Sequence, residues 1–116
     1  MEIEKYMRGG VTVVALDGEL DSSTASDVRE RLGELVPGEG RVLIDLSRTT
    51  YMSSAGLRVL LLLYRQVRAS GVRLALAGMT EDVTEVMAAT GFLDFFTVTS
   101  TVEDGVAALG ERAVGE

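Results

Sequence analysis

Cysteine and histidine are both missing from the 116-residue chain. Without cysteine there are no disulfides and no thiolate nucleophile; without histidine the usual zinc ligand sets and every Ser-His or Cys-His pair are gone as well. An enzyme built on this chain would be confined to carboxylates, hydroxyls and arginine. Lysine is represented by Lys5 alone, so the hydroxyl-rich stretches further on have no neighbouring lysine base, and the reading is that the protein is not an enzyme. Positive charge is scarce. Eleven Lys and Arg stand against 18 Asp and Glu, a net charge of -7. No basic cluster interrupts that excess, which excludes a phosphate backbone as a direct partner. Long apolar runs are absent too: the longest, Val59 to Leu63 with Tyr64, is bracketed by Arg58 and Arg65, well short of the roughly 20 residues that a membrane span needs. The opening Met1-Glu2-Ile3-Glu4-Lys5 is charged and lacks a signal-peptide core. The expectation is a soluble cytoplasmic protein with no membrane contact, no metal and no cofactor. No glycine-rich run ends in Lys-Ser or Lys-Thr, so there is no P-loop.

What is present is ordinary globular composition, with 47% apolar and 25% charged residues. The length suits one domain over residues 1–116, with a core over about 3–109 and a frayed tail at 113–116.

Ile3 to Met7 and Val11 to Leu16 read as strands around Gly9-Gly10, a pair able to supply the positive φ angles of a two-residue hairpin turn. Val11 to Leu16 is apolar on both faces, as in a strand covered from both sides. Asp21-Ser22-Ser23-Thr24 is a run of helix-capping residues. Ala25, Val28, Leu32 and Leu35 or Val36 follow at helical spacing until Pro37-Gly38. Arg41 to Leu46 reads as a buried strand and Ser47 to Thr50 as a polar loop. Ser53-Ser54-Ala55-Gly56 opens a second helix, with Leu57, Leu60, Leu61, Tyr64 and Val67 in period and Ser70-Gly71 as its stop. Val72 to Ala77 is the next strand, and Gly78-Met79-Thr80 turns into a helix over about Glu81 to Ala89. Phe95 to Val98 is a last short strand, and Thr101 caps a helix reaching about Arg112. Alternating strands and helices after an opening hairpin give an α/β fold: a mixed, mostly parallel sheet with an N-terminal antiparallel hairpin and about four helices. Val11 to Leu16, Val42 to Leu46 and Val72 to Ala77 should be neighbours in it.

In open α/β sheets function gathers where strands end and helices begin. Three such junctions are present, at Asp21 to Thr24, Tyr51 to Gly56 and Gly78 to Thr80. Taken from the residues alone, their hydroxyls are helix caps, Asp21 is a cap before it is a metal ligand, and Leu57, Leu60 and Leu61 are core.

The segment Leu43-Ile44-Asp45-Leu46 through Tyr51-Met52-Ser53-Ser54-Ala55-Gly56-Leu57 closely resembles the signature of STAS domains, in particular bacterial anti-sigma factor antagonists. Leu16-Asp17-Gly18-Glu19-Leu20-Asp21 resembles a second motif of that family, and the likeness in element order spans about Ile3 to Leu109. The resemblance implies a switch protein that binds a serine-kinase anti-sigma factor, displaces its sigma factor, is turned off by phosphorylation and is reset by a serine phosphatase. It carries the phosphoacceptor onto Ser54, with Ser53 as fallback, and places Asp21 beside it. The implied contact surface comprises Asp21, Ser22, Ser23, Thr24, Met52, Ser53, Ala55, Gly56, Arg58 and Met79. Two positions depart from the family pattern: Ser53 stands where an acidic residue is usual, and Ala55 where many members carry a hydroxyl. The second reading keeps the fold and changes the role, to a subunit of a stressosome or lipid-transport complex, or a module sensing a small ligand such as a nucleotide.

Overall fold

Gly9 and Gly10 carry φ of 56° and 79° in the computed structural model, a left-handed pair that glycine adopts without steric cost. They close the hairpin between β1 (Glu2–Arg8) and β2 (Val11–Leu20), which pair antiparallel from Arg8↔Val11 to Glu2↔Asp17. Residues 1–114 are described, with side chains through Gly110. The expected tail at 113–116 falls partly outside them: Ala113 and Val114 continue a helix, while Gly115 and Glu116 lie beyond the described residues.

The chain continues through α1 (Ala25–Leu35), β3 (Arg41–Asp45), β4 (Thr49–Met52), α2 (Ser54–Ser70), β5 (Arg73–Ala77), α3 (Glu81–Ala89), a 3₁₀ turn at Phe92–Phe95, β6 (Thr97–Thr99) and α4 (Val102–Val114). The sheet order is β1-β2-β3-β5-β6, antiparallel only at β1–β2. This is the mixed α/β architecture expected, with the three central strands adjacent.

Strand periodicity explains why both faces are covered. Val11, Val13, Leu43, Ala75 and Ala77 point one way and pack with Leu109 of α4. Val14, Leu16, Val42, Ile44 and Leu76 point the other way, onto Val28 and Leu32 of α1, Leu57, Leu60 and Leu63 of α2, and Val83 and Met87 of α3. Leu57 and Leu60 are therefore core, as their spacing indicated, whereas the expected Leu61 is half-buried and Leu63 is in the core.

Several expectations need correction. Ser47 to Thr50 is not all loop: Thr49 begins β4, which pairs parallel with the end of β2. Thr49 is fully buried and its hydroxyl donates to the Leu16 carbonyl at 2.8 Å, so a polar residue is spent on joining strands. β2 itself runs four residues past Leu16, through an irregularity at Gly18/Glu19 that lets a polar stretch remain in the ladder. Phe92–Phe95 is a 3₁₀ turn and the last strand is Thr97–Thr99, two residues later than expected, because Phe92 and Phe95 stack on each other at 5.9 Å and Tyr64 packs on Phe95 at 5.6 Å. The last helix runs to Val114 instead of Arg112. Its expected cap is present, with Asp104 N–H donating to Thr101 Oγ1 at 3.0 Å. Among the described residues no helix is long and apolar enough to cross a membrane.

Candidate functional site

β4 sets the geometry of the second junction. Its register pairs Leu20 with Met52, and the next N–H, that of Ser53, donates to the Leu20 carbonyl at 3.0 Å. One turn on, Gly56 rests on the same carbonyl. A methyl group added there would strike Leu20 O and sit 2.7 Å from Leu20 Cγ. Glycine is what lets the first turn of α2 lie against the end of β2, and the chain that leaves β2 at Asp21 therefore passes beside Ser53 and Ser54.

The two serines are used differently. Ser53 is half-buried and caps α2, its Oγ accepting from Gly56 N–H at 3.4 Å. Ser54 is the first helical residue, is exposed, and has no hydrogen-bond partner for its hydroxyl among the described residues.

Within the expected capping run Asp21 to Thr24, the side chain of Thr24 makes no cap bond to α1. Thr24 Oγ1 instead accepts from Asp21 N–H at 3.0 Å and donates to Glu19 O at 2.9 Å. Asp21 builds the turn: Oδ1 accepts from Ser23 Oγ at 2.6 Å, Ser23 N–H at 2.9 Å and Thr24 N–H at 3.2 Å. The Ser23 hydroxyl first, and the Ser23 amide next, hold the Asp21 carboxyl below its ordinary value of 3.8. A lowered folded-state pKa adds stability that is complete above the unfolded value, near pH 4, and is lost as pH falls through the lower folded one. Ser23→Ala should raise the Asp21 pKa toward 3.8; carbon-13 titration of its carboxyl is the check.

From Ser54 a groove of about 470 Å³ runs between α1 and α2, lined by Ala25, Ser26, Arg29, Ser54, Ala55, Arg58, Val59 and Leu62. Of the residues carried over by the resemblance, Ser54, Ala55 and Arg58 meet here. Asp21, Ser22, Ser23 and Thr24 form the adjoining turn, with Ser22 and Ser23 exposed. Three residues of the implied contact surface do not line the groove. Met52 is only 2% exposed and belongs to the core, and Gly56 is buried; both support the surface from below. Met79 is half-buried against the core and does not line the groove.

Arg29 was not legible in the sequence. It is one exposed charge on a polar helix face, and only the packing of α1 on α2 brings it opposite Arg58. Among the described residues no group of acidic side chains could hold a metal ion. What remains is an exposed hydroxyl in a groove that Arg29 and Arg58 also line.

The family model of the STAS domain matches residues 2–105. A Bordetella bronchiseptica protein named as an anti-sigma factor antagonist, BtrV, is 39% identical over 100 residues, 85% of this chain and 86% of that protein. The crystal structure of an anti-sigma factor antagonist from Mycobacterium paratuberculosis superposes with a TM-score of 0.79 at 25% identity, over 93% of this chain and 92% of that one. The Bacillus cell fate determinant SpoIIAA, solved in its phosphorylated form, gives a TM-score of 0.67 at 19% identity over 92% of this chain and 98% of that one, a likeness of fold.

Proposed function

Because the chain belongs to the STAS domain family, among the anti-sigma factor antagonists, we propose that it binds a serine-kinase anti-sigma factor, frees the sigma factor that this kinase holds, and is switched off by phosphorylation of Ser54. A serine phosphatase then restores the active form. The protein carries out no chemistry of its own in this cycle.

The observation that carries the reading is the exposed hydroxyl of Ser54 at the start of α2, which has no hydrogen-bond partner among the described residues. Its rivals are less suited: Ser53 is half-buried and occupied as a cap, and Thr49 is fully buried and bonded to Leu16. A phosphate at Ser54 adds roughly -1.5 to -2 charge where the free N–H groups of a helix start favour an anion, so the fold accommodates it.

The test is to incubate the protein with its cognate kinase and ATP and map the product by mass spectrometry. Phosphate on Ser54, and no incorporation into Ser54→Ala, is the expected result. Incorporation only at Ser53, Ser22 or Thr49 contradicts it. Ser54→Ala should stay folded and hold the kinase constitutively.

A further inference from the structure

We propose that the groove between α1 and α2 is a phosphate-receiving site, in which Arg58 and Arg29 together clamp a phosphoryl group carried by Ser54; the inference rests on Ser54 being the residue modified.

The groove begins at Ser54 and holds both guanidinium groups. Ser54 and Arg58 are four apart on one helix, so their Cβ atoms lie about 6 Å from each other. Helical side chains tilt toward the N-terminus, which leans the Arg58 stem back over Ser54. Arg29 comes from the opposite wall, on α1.

Among the described residues neither arginine is occupied. The ion pairs among the described residues are Arg8–Glu103, Arg31–Asp27 and Arg48–Asp17, and neither Arg29 nor Arg58 donates a hydrogen bond. On α1 the candidate competitor for Arg29, Asp27, is turned to Arg31 at 3.7 Å. No carboxylate lines the groove. Asp21, on the adjoining turn, is taken up by Ser23 and Thr24. In a chain of net charge -7, two cations that have no ion-pair partner among the described residues line one groove with an exposed hydroxyl, and their charge suits a dianion. Two arginines supply +2 against a phosphate of about -2, and their forked N–H groups match its oxygens. The apolar walls from Ala25, Ala55, Val59 and Leu62 keep bulk water on one side and strengthen the pairing.

The consequence is that modification does two things at once. It puts a phosphate on the surface, and it withdraws the two arginines from any acidic partner they would otherwise meet. The off state is then a changed charge pattern over both helices.

Phosphoserine installed at position 54 by genetic code expansion makes the test independent of any kinase. Phosphorus-31 NMR follows the second ionisation of that group, ordinarily near pH 6. In the wild type it should titrate below that value; Arg58→Gln should raise it by about one unit and Arg29→Gln by about half a unit, the scale of a charge-assisted hydrogen bond. Arg65→Gln, an exposed change on α2 outside the groove, should leave it unmoved. Circular dichroism of each variant controls for folding. Titration unchanged in both groove variants overturns the clamp. So does an equal shift in Arg65→Gln, which would mark a general charge effect, or a shift confined to Arg58→Gln. A kinase that ignores Ser54 would refute the proposed function without altering these titrations.

Discussion

Gly56→Ala is expected to lower the melting temperature by about 8–12 °C. The added methyl has no room to relax into, because it meets the Leu20 carbonyl, a backbone atom held in place by Ser53 N–H. Overpacking of this kind costs about 3 kcal/mol at the upper end of the usual range, and a domain of this length loses about 4 °C per kcal/mol. Alanine's better helix propensity returns about 1 kcal/mol at most in a helix interior, so the clash decides the sign. Gly33→Ala in α1 is the control. Nothing lies within 4 Å of its added methyl, so that change should be neutral or raise the melting temperature by a few degrees. Thermal unfolding of the three proteins followed by circular dichroism settles the comparison, and a Gly56→Ala protein that melts with the wild type would mean that α2 can lift off β2 freely.

The second large effect is on binding. Ser54→Asp and the phosphorylated protein should bind the kinase at least about a hundredfold more weakly than the wild type, which needs only about 2.7 kcal/mol. A partner carboxylate about 6 Å from the new charge supplies several kcal/mol of repulsion at an effective dielectric near 20, before screening. The fold should not take part. Leu57, Leu60 and Leu63 anchor the helix behind Ser54, with exposures of 3% or less, and the modified position points to solvent. Melting temperatures should therefore stay within a few degrees of the wild type, while raising the salt recovers part of the lost affinity. The carboxylate, with half the charge of phosphate, should give the smaller loss. Loss of helical signal on phosphorylation, or salt-independent weakening, would replace surface electrostatics with a conformational mechanism.

The sequence made the frame of the fold legible because its signals were redundant. Val13 to Leu16 and Val42 to Ile44 are continuous apolar runs, and α2 has both a capping serine and an apolar stripe. The misses have a common cause. β4 is four residues long with its two buried positions at the ends, so it shows neither alternation nor an apolar run. Its inward residue Thr49 is a hydroxyl satisfied by a partner 33 residues earlier in the chain, a fact that no local pattern carries. Asp17-Gly18-Glu19 reads as a turn from composition, yet stays in β2 because β4 is there to pair with it. At the site, the motif led to Ser54 and Asp21 through their neighbours in sequence. Arg29 depended on helix packing, and the buried state of Met52 and Gly56 on the β2–β4 register, which sequence spacing does not encode.

The position of β4 has a mechanical consequence. β3 and β4 follow one another along β2, the first on Val42 to Asp45 and the second on Thr49 to Met52, and the ladder bonds of β4 go to β2 alone. Ser54 thus stands on a ledge whose detachment would break the bonds to Gly18, Leu20 and Leu16 and leave the β2–β3–β5 ladder whole. On the proposed function, a kinase that drew Ser54 into its active site would work against the free energy of that local opening, which is smaller than the free energy of unfolding the molecule. Thr49 and Met52, the two buried residues of the ledge, hold it to the core, and on the proposed function they would set how readily such a switch is thrown.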